Sequence, residues 1–136
     1  MRWLIPVLIS VAALGTLGVT SGLALRTLAW QDLILWTAGG YILVAAVLLV
    51  TGQTEVRIVE NSGWAIVTAV CAIGGLITLY LALAAGEASK VVPVSASYPA
   101  LTLVLAAIVL SESVSVLRWA GTAMVIGGVV LLTVAR

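Results

Sequence analysis

Five apolar runs make up most of this chain, and every charged side chain but Arg118, the second residue of the fifth run, lies outside them. The runs are Trp3–Leu25, Leu33–Val50, Trp64–Ala84, Val91–Leu110 and Leu117–Val134. Each is close to the ~20 residues a helix needs to cross the hydrocarbon core of a bilayer. An unpaired amide facing lipid costs several kcal/mol, so irregular backbone cannot span there and helices are expected. A β-barrel would alternate apolar and polar residues over ~10-residue segments, which these continuous runs do not. The sequence is 63% hydrophobic and 8% charged, with mean hydropathy +1.30. A soluble domain carries about 25% charge. The expectation is therefore an all-α membrane protein with five transmembrane helices in a single domain, residues 1–136.

Five crossings place the two chain ends on opposite sides. Arg2, Arg57 and Arg118 then share one side, and Arg26, Lys90 and Arg136 the other. Three against three leaves the positive-inside rule little to act on. Balance of this kind permits insertion in both orientations, and with it an antiparallel dimer. The first run is longer than the ~7–15 residues of a signal-peptide core, so it is read as a retained span. The net charge is +1, and no basic cluster points to nucleic acid or a polybasic lipid anchor. Cys71 is the only cysteine and histidine is absent, so no intrachain disulfide, metal site or cofactor is expected.

The connections are too short for a soluble domain: Arg26–Asp32, Thr51–Gly63, Gly86–Lys90 and Ser111–Val116. Function therefore lies within or between the helices, and enzymatic chemistry is not expected. Trp3, Trp30, Trp36, Trp64 and Trp119 fall near span ends, where interfacial aromatics sit. No internal repeat is visible. Many transporters contain two related halves in opposite orientation, so a second half would come from another copy.

The fourth span carries the strongest candidate face. Ser95, Tyr98, Pro99 and Thr102 follow i, i+3, i+4, i+7 and share one side of a helix. Pro99 lacks an amide hydrogen and clashes with the Ser95 carbonyl, which predicts a kink beside three hydroxyls. Two readings stay open: the hydroxyls bond back to their own helix, or the face contacts substrate. In the third span, Trp64, Thr68, Cys71, Gly75, Thr78 and Ala82 form a stripe that suits either packing or a path. Tyr80 is a further candidate contact. Gly18 and Gly22 form a GxxxG beside Thr16, Thr20 and Ser21; Gly121, Ala123 and Gly127 give the last span small contact residues.

No Asp, Glu, Lys, Arg or His lies in the middle of a span. A charge there costs at least ~2.5–3.5 kcal/mol and often marks a proton or ion path. An exchanger driven through a central carboxylate is therefore disfavoured. Asp32, Glu87 and Glu112 lie near the interface, as helix anchors or as coupling groups. Lys90 is either an interfacial charge or a contact for an anion.

The stretch Gly86-Glu-Ala-Ser-Lys-Val-Val-Pro93 is followed by Ser97-Tyr-Pro-Ala-Leu-Thr102, Ser111-Glu112, Trp119-Ala-Gly121 and Gly127. This pattern resembles the EamA family of the drug/metabolite transporter superfamily. It covers roughly the last third of the chain; the first half agrees in span number and layout. The sequence departs from the family at Ser111, where Gly-Glu is common, and at Gly15-Thr16, where a Trp-Gly is often found. The resemblance implies one five-helix half of an inverted-repeat transporter, acting on small metabolites or drugs, often as an exporter. Small multidrug resistance proteins are shorter relatives that dimerise antiparallel and use a carboxylate in the first span, which this chain lacks. Flippase subunits for lipid-linked aminoarabinose also resemble the group.

Together these observations lead to an expected transporter of the cytoplasmic or inner membrane, paired as an antiparallel homodimer or with a heteromeric second half. Its path would be lined by spans one, three and four. Ser95, Tyr98 and Thr102 are the leading substrate contacts, with Pro99 shaping the site and Thr68, Thr78 and Tyr80 next. The alternatives are a lipid-linked-sugar flippase subunit and a non-transporting accessory subunit.

Overall fold

The computed structural model describes residues 3–54, 59 and 62–134. Arg2, Arg57 and Arg136, which enter the charge balance above, lie outside the described residues. Every regular element among the described residues is helical: α1 Leu4–Ala24, α2 Trp30–Val50, α3 Ser62–Ala85, α4 Ala88–Ser95, α5 Tyr98–Val109 and α6 Val116–Val134. With α4 and α5 taken as one crossing, these give five spans of 19–24 residues, each long and apolar enough for a membrane. The all-helical, five-span architecture stands as expected.

Local chemistry explains where the helices start and stop. Pro6 falls in the first turn of α1, where a missing amide hydrogen costs nothing. Past Ala24 the chain tightens into turns, with Thr27 N–H and Leu28 N–H both donating to the Ala24 carbonyl. Helix α2 begins at Trp30, earlier than the apolar run, because the Asp32 carboxylate accepts the Ala29 amide at 3.3 Å. This closes the first turn and puts a negative charge at the positive end of the helix. At its far end, Gly52 adopts φ +66°. Gln53 N–H donates to Leu48 O, and Gly52 N–H to Leu49 O, both at 3.1 Å. These are the paired bonds of a Schellman closure, which asks for glycine at the left-handed position. Helix α3 opens with Ser62 Oγ accepting the Val59 amide at 2.8 Å.

The chain divides into two compact units, Met1–Gly18 with Gly86–Arg136, and Val19–Ala85. In the first unit, α4 and α5 both pack on α6. Gly18 contacts Val92 closely: a Cβ at Gly18 would lie 2.6 Å from Val92 Cγ2. In the second unit, α2 packs on α3. Tyr80 and Leu83 are its buried apolar residues and Ser21 is a buried polar one. No more than 11% of any span is buried within the chain. The exposed apolar surface must therefore be covered by lipid tails or another protein.

Candidate functional site

The fourth span is interrupted rather than gently bent. Helix α4 ends at Ser95, Ala96 and Ser97 form a turn, and α5 restarts at Tyr98 with Pro99 in its first turn. Ala96 N–H donates to Val92 O at 2.9 Å and Ser97 N–H to Val94 O at 3.1 Å. Pro99 has no N–H to give the Ser95 carbonyl, so the helical ladder cannot pass this point unbroken. In a first turn that missing donor is harmless, which is why the new helix begins here.

A groove of ≈ 520 Å³ runs between α5 and α6 in the first unit. Tyr98, Pro99 and Thr102 line it from α5; Gly121, Thr122 and Val125 line it from α6. Glu112 and Arg118 border the same groove, at the end where the two helices are joined. Three of the four residues on the predicted face, Tyr98, Pro99 and Thr102, are thus brought together. Ser95 is exposed at the end of α4 and is not part of the groove lining.

The hydroxyls bond locally. Ser95 Oγ donates to Val92 O at 2.8 Å, and Thr102 Oγ1 to Tyr98 O at 3.1 Å. Such back-bonding satisfies the donor inside the helix and leaves the oxygen lone pairs as acceptors. Thr68 and Thr78 belong to the second unit; both are exposed and donate to Trp64 O and Gly74 O at 2.9 Å. Tyr80 is 2% exposed, and its hydroxyl lies 3.1 Å from Thr37 Oγ1. Lys90 forms an exposed ion pair with Glu87 at 3.0 Å, one turn apart.

Among the glycines, Gly18 is buried and Gly22 half-buried. Among the described residues, nothing lies within 4 Å of a Cβ built at Gly75, Gly121 or Gly127. No group of three metal-ligating side chains occurs among the described residues.

Apart from Gly121, read as a packing residue, the α6 side of the groove was not singled out from the sequence. Its signal was present: Arg118, Thr122 and Val125 recur at helical spacing, with Gly121 between them. Thr37 was also overlooked, being a single hydroxyl in an otherwise apolar span.

A model described as the EamA-like transporter family matches residues 1–134. An uncharacterized protein of Methanocaldococcus jannaschii is 37% identical over 73 residues, covering 54% of this chain and 53% of the relative. The match thus spans about half the length of that relative. No solved structure matches this chain.

Proposed function

The chain belongs to the EamA-like transporter family, and on that premise we propose that it exports small metabolites or drugs as an antiparallel homodimer with alternating access. A membrane transporter of the drug/metabolite superfamily is what the family gives; direction, pairing and path are our reading. The observation that carries it is the interrupted fourth span with Tyr98, Pro99 and Thr102 lining one groove. Broken helices with polar groups near the interruption are how many transporters build a midplane site. Tyr98 and Thr102 are the leading hydrogen-bonding contacts, Ser95 marks the end of the preceding helix, and Pro99 holds the break. Thr68, Thr78 and Tyr80 are secondary candidates. A single five-span unit needs a partner to complete an inverted repeat, and the Lys and Arg balance of three per side allows that partner to be a second copy. The cytoplasmic or inner membrane is the proposed location.

Purified protein in liposomes, offered a panel of amino acids, cations and metabolites, tests transport directly. Reporter fusions after Arg136 test the pairing: activity on both sides of the membrane is expected. A single orientation would remove the antiparallel homodimer and leave a heteromeric second half. Absence of flux for every solute would favour an accessory subunit, and flux of a lipid-linked sugar a flippase.

A further inference from the structure

We propose that the exposed face of α2 holds one phospholipid with a primary-ammonium headgroup, bound through Asp32 and a two-glycine groove that runs inward from it. The site is separate from the α5–α6 groove and does not depend on any transported solute. A groove of ≈ 590 Å³ runs from Asp32 past Leu35 and Trp36 to Gly39, Gly40 and Leu43. Counted from Asp32 these positions follow i, i+3, i+4, i+7, i+8, i+11, a single stripe of the helix. Every lining residue belongs to α2 or to the connection before it. Among the described residues, nothing lies within 4 Å of a Cβ built at Gly39 or Gly40. Two adjacent glycines weaken a helix, yet here they receive no neighbouring helix of this chain. They leave a notch between the exposed side chains of Leu35, Trp36 and Leu43.

The length of the groove selects its occupant. Asp32 to Leu43 is ~16 Å along the axis at 1.5 Å per residue. One leaflet contributes about half of the ~30 Å hydrocarbon core. The groove thus starts at the interfacial end of the span and stops near the midplane, as an acyl chain of one leaflet does. A packed helix would follow the same stripe on to Val47 and Val50, which are exposed and lie outside the groove lining. Charge selects the headgroup. The Asp32 carboxylate accepts the Ala29 amide through Oδ2 at 3.3 Å and has no other partner among the described residues. An exposed carboxylate at this depth attracts an ammonium and repels an anionic headgroup. A primary ammonium brings three N–H donors to it, whereas a quaternary one brings none. Trp36 stands one turn further in, ~6 Å along the axis, where the ester carbonyls of such a lipid lie. Its indole N–H is a donor suited to that interfacial level.

The full protein, delipidated in a maltoside detergent, is titrated with phosphatidylethanolamine, phosphatidylcholine and phosphatidylglycerol of identical acyl chains. Native mass spectrometry reads the lipid retained per chain. One phosphatidylethanolamine should be retained about tenfold tighter than either other lipid, as expected for one charge-assisted hydrogen bond. Asp32→Asn should reduce it to the phosphatidylcholine level. Asp32→Lys should transfer the preference to phosphatidylglycerol, a gain that misfolding cannot produce. Gly39→Leu should weaken all three lipids several-fold by filling the groove. Val50→Leu, on the same stripe beyond the groove, should change none. Equal retention of the three headgroups, a preference unchanged by Asp32→Asn, or unchanged retention in Gly39→Leu overturns the proposal. So does a Gly39→Leu variant that converts a dimer to a monomer with lipid retention unaltered, which would assign this face to a second copy of the chain.

Discussion

The hydroxyl of Tyr80 lies 3.1 Å from Thr37 Oγ1, which itself donates to the Leu33 carbonyl at 2.8 Å. Thr37 has one proton, and that proton is committed to Leu33, so Tyr80 is the donor in the shared bond. The 51–61 connection joins α2 to α3 at one end; this bond ties the halves farthest from it. Tyr80 is buried to 2% exposure, so its hydroxyl could not be left unpaired cheaply.

Tyr80→Phe should therefore destabilise the protein by about 0.5–1.5 kcal/mol, the net contribution of a typical intramolecular hydrogen bond. A double-mutant cycle with Thr37→Val, read by reversible unfolding in detergent, checks the pairing. Coupling of about 0.6 kcal/mol is expected; simple additivity would mean that the two hydroxyls act independently.

Gly18 and Val92 give a second packing prediction. A methyl group at residue 18 would sit 2.6 Å from Val92 Cγ2, closer than real Cβ contacts allow. Gly18→Ala should cost about 1–3 kcal/mol through overpacking. Adding Val92→Ala should return part of that loss, since it removes the colliding methyl. Thermal unfolding of the single and double variants measures both effects. By contrast, Gly75→Ala meets nothing within 4 Å among the described residues. A large effect there would locate a contact with another copy.

Ser111 at φ +53° occupies a conformation that favours glycine. Ser111→Gly should raise stability by about 1 kcal/mol, and Ser111→Val should lower it by at least as much. Chemical unfolding of the two variants reads the sign directly.

Thr102 separates structure from function. Its hydroxyl bonds to the Tyr98 carbonyl of its own helix at 3.1 Å, so the fold does not depend on it. Thr102→Ala should change stability by less than about 0.5 kcal/mol, as for substitutions away from packed or buried polar groups. Transport in proteoliposomes should fall several-fold, with the loss mainly in apparent affinity. Normal transport would remove Thr102 from the list of contacts.

The five spans were legible because membrane length and hydropathy constrain sequence strongly; α3 and α6 match their apolar runs within two residues at each end. The ends were less legible. The start of α2 at Trp30 depends on the Asp32 carboxylate reaching back to Ala29, which hydropathy does not register. Pro99 signalled disruption of the fourth span, but its position within the disruption was not readable. A proline is tolerated in a helix's first turn, so the break falls before it, at Ala96–Ser97, rather than at a kink around it. The face of Tyr98, Pro99 and Thr102 was legible from spacing. Its pairing with Gly121, Thr122 and Arg118 was not, because period within one helix does not reveal which neighbour it packs against. The departure at Ser111 has a structural counterpart: the chain takes a left-handed turn there without the glycine that suits it.

The central claim is that the α5–α6 groove meets water during transport. Cys71 is exposed, so Cys71→Ser provides the background for thiol labelling. Tyr98→Cys, Thr102→Cys and Thr122→Cys place thiols in the groove, and Ile108→Cys, at an exposed apolar position on α5, serves as the lipid-facing control. In membranes, a water-soluble maleimide should label positions 98, 102 and 122 and leave position 108 unmodified. Failure to label the three groove positions in any state, or labelling no faster than at 108, would contradict the account.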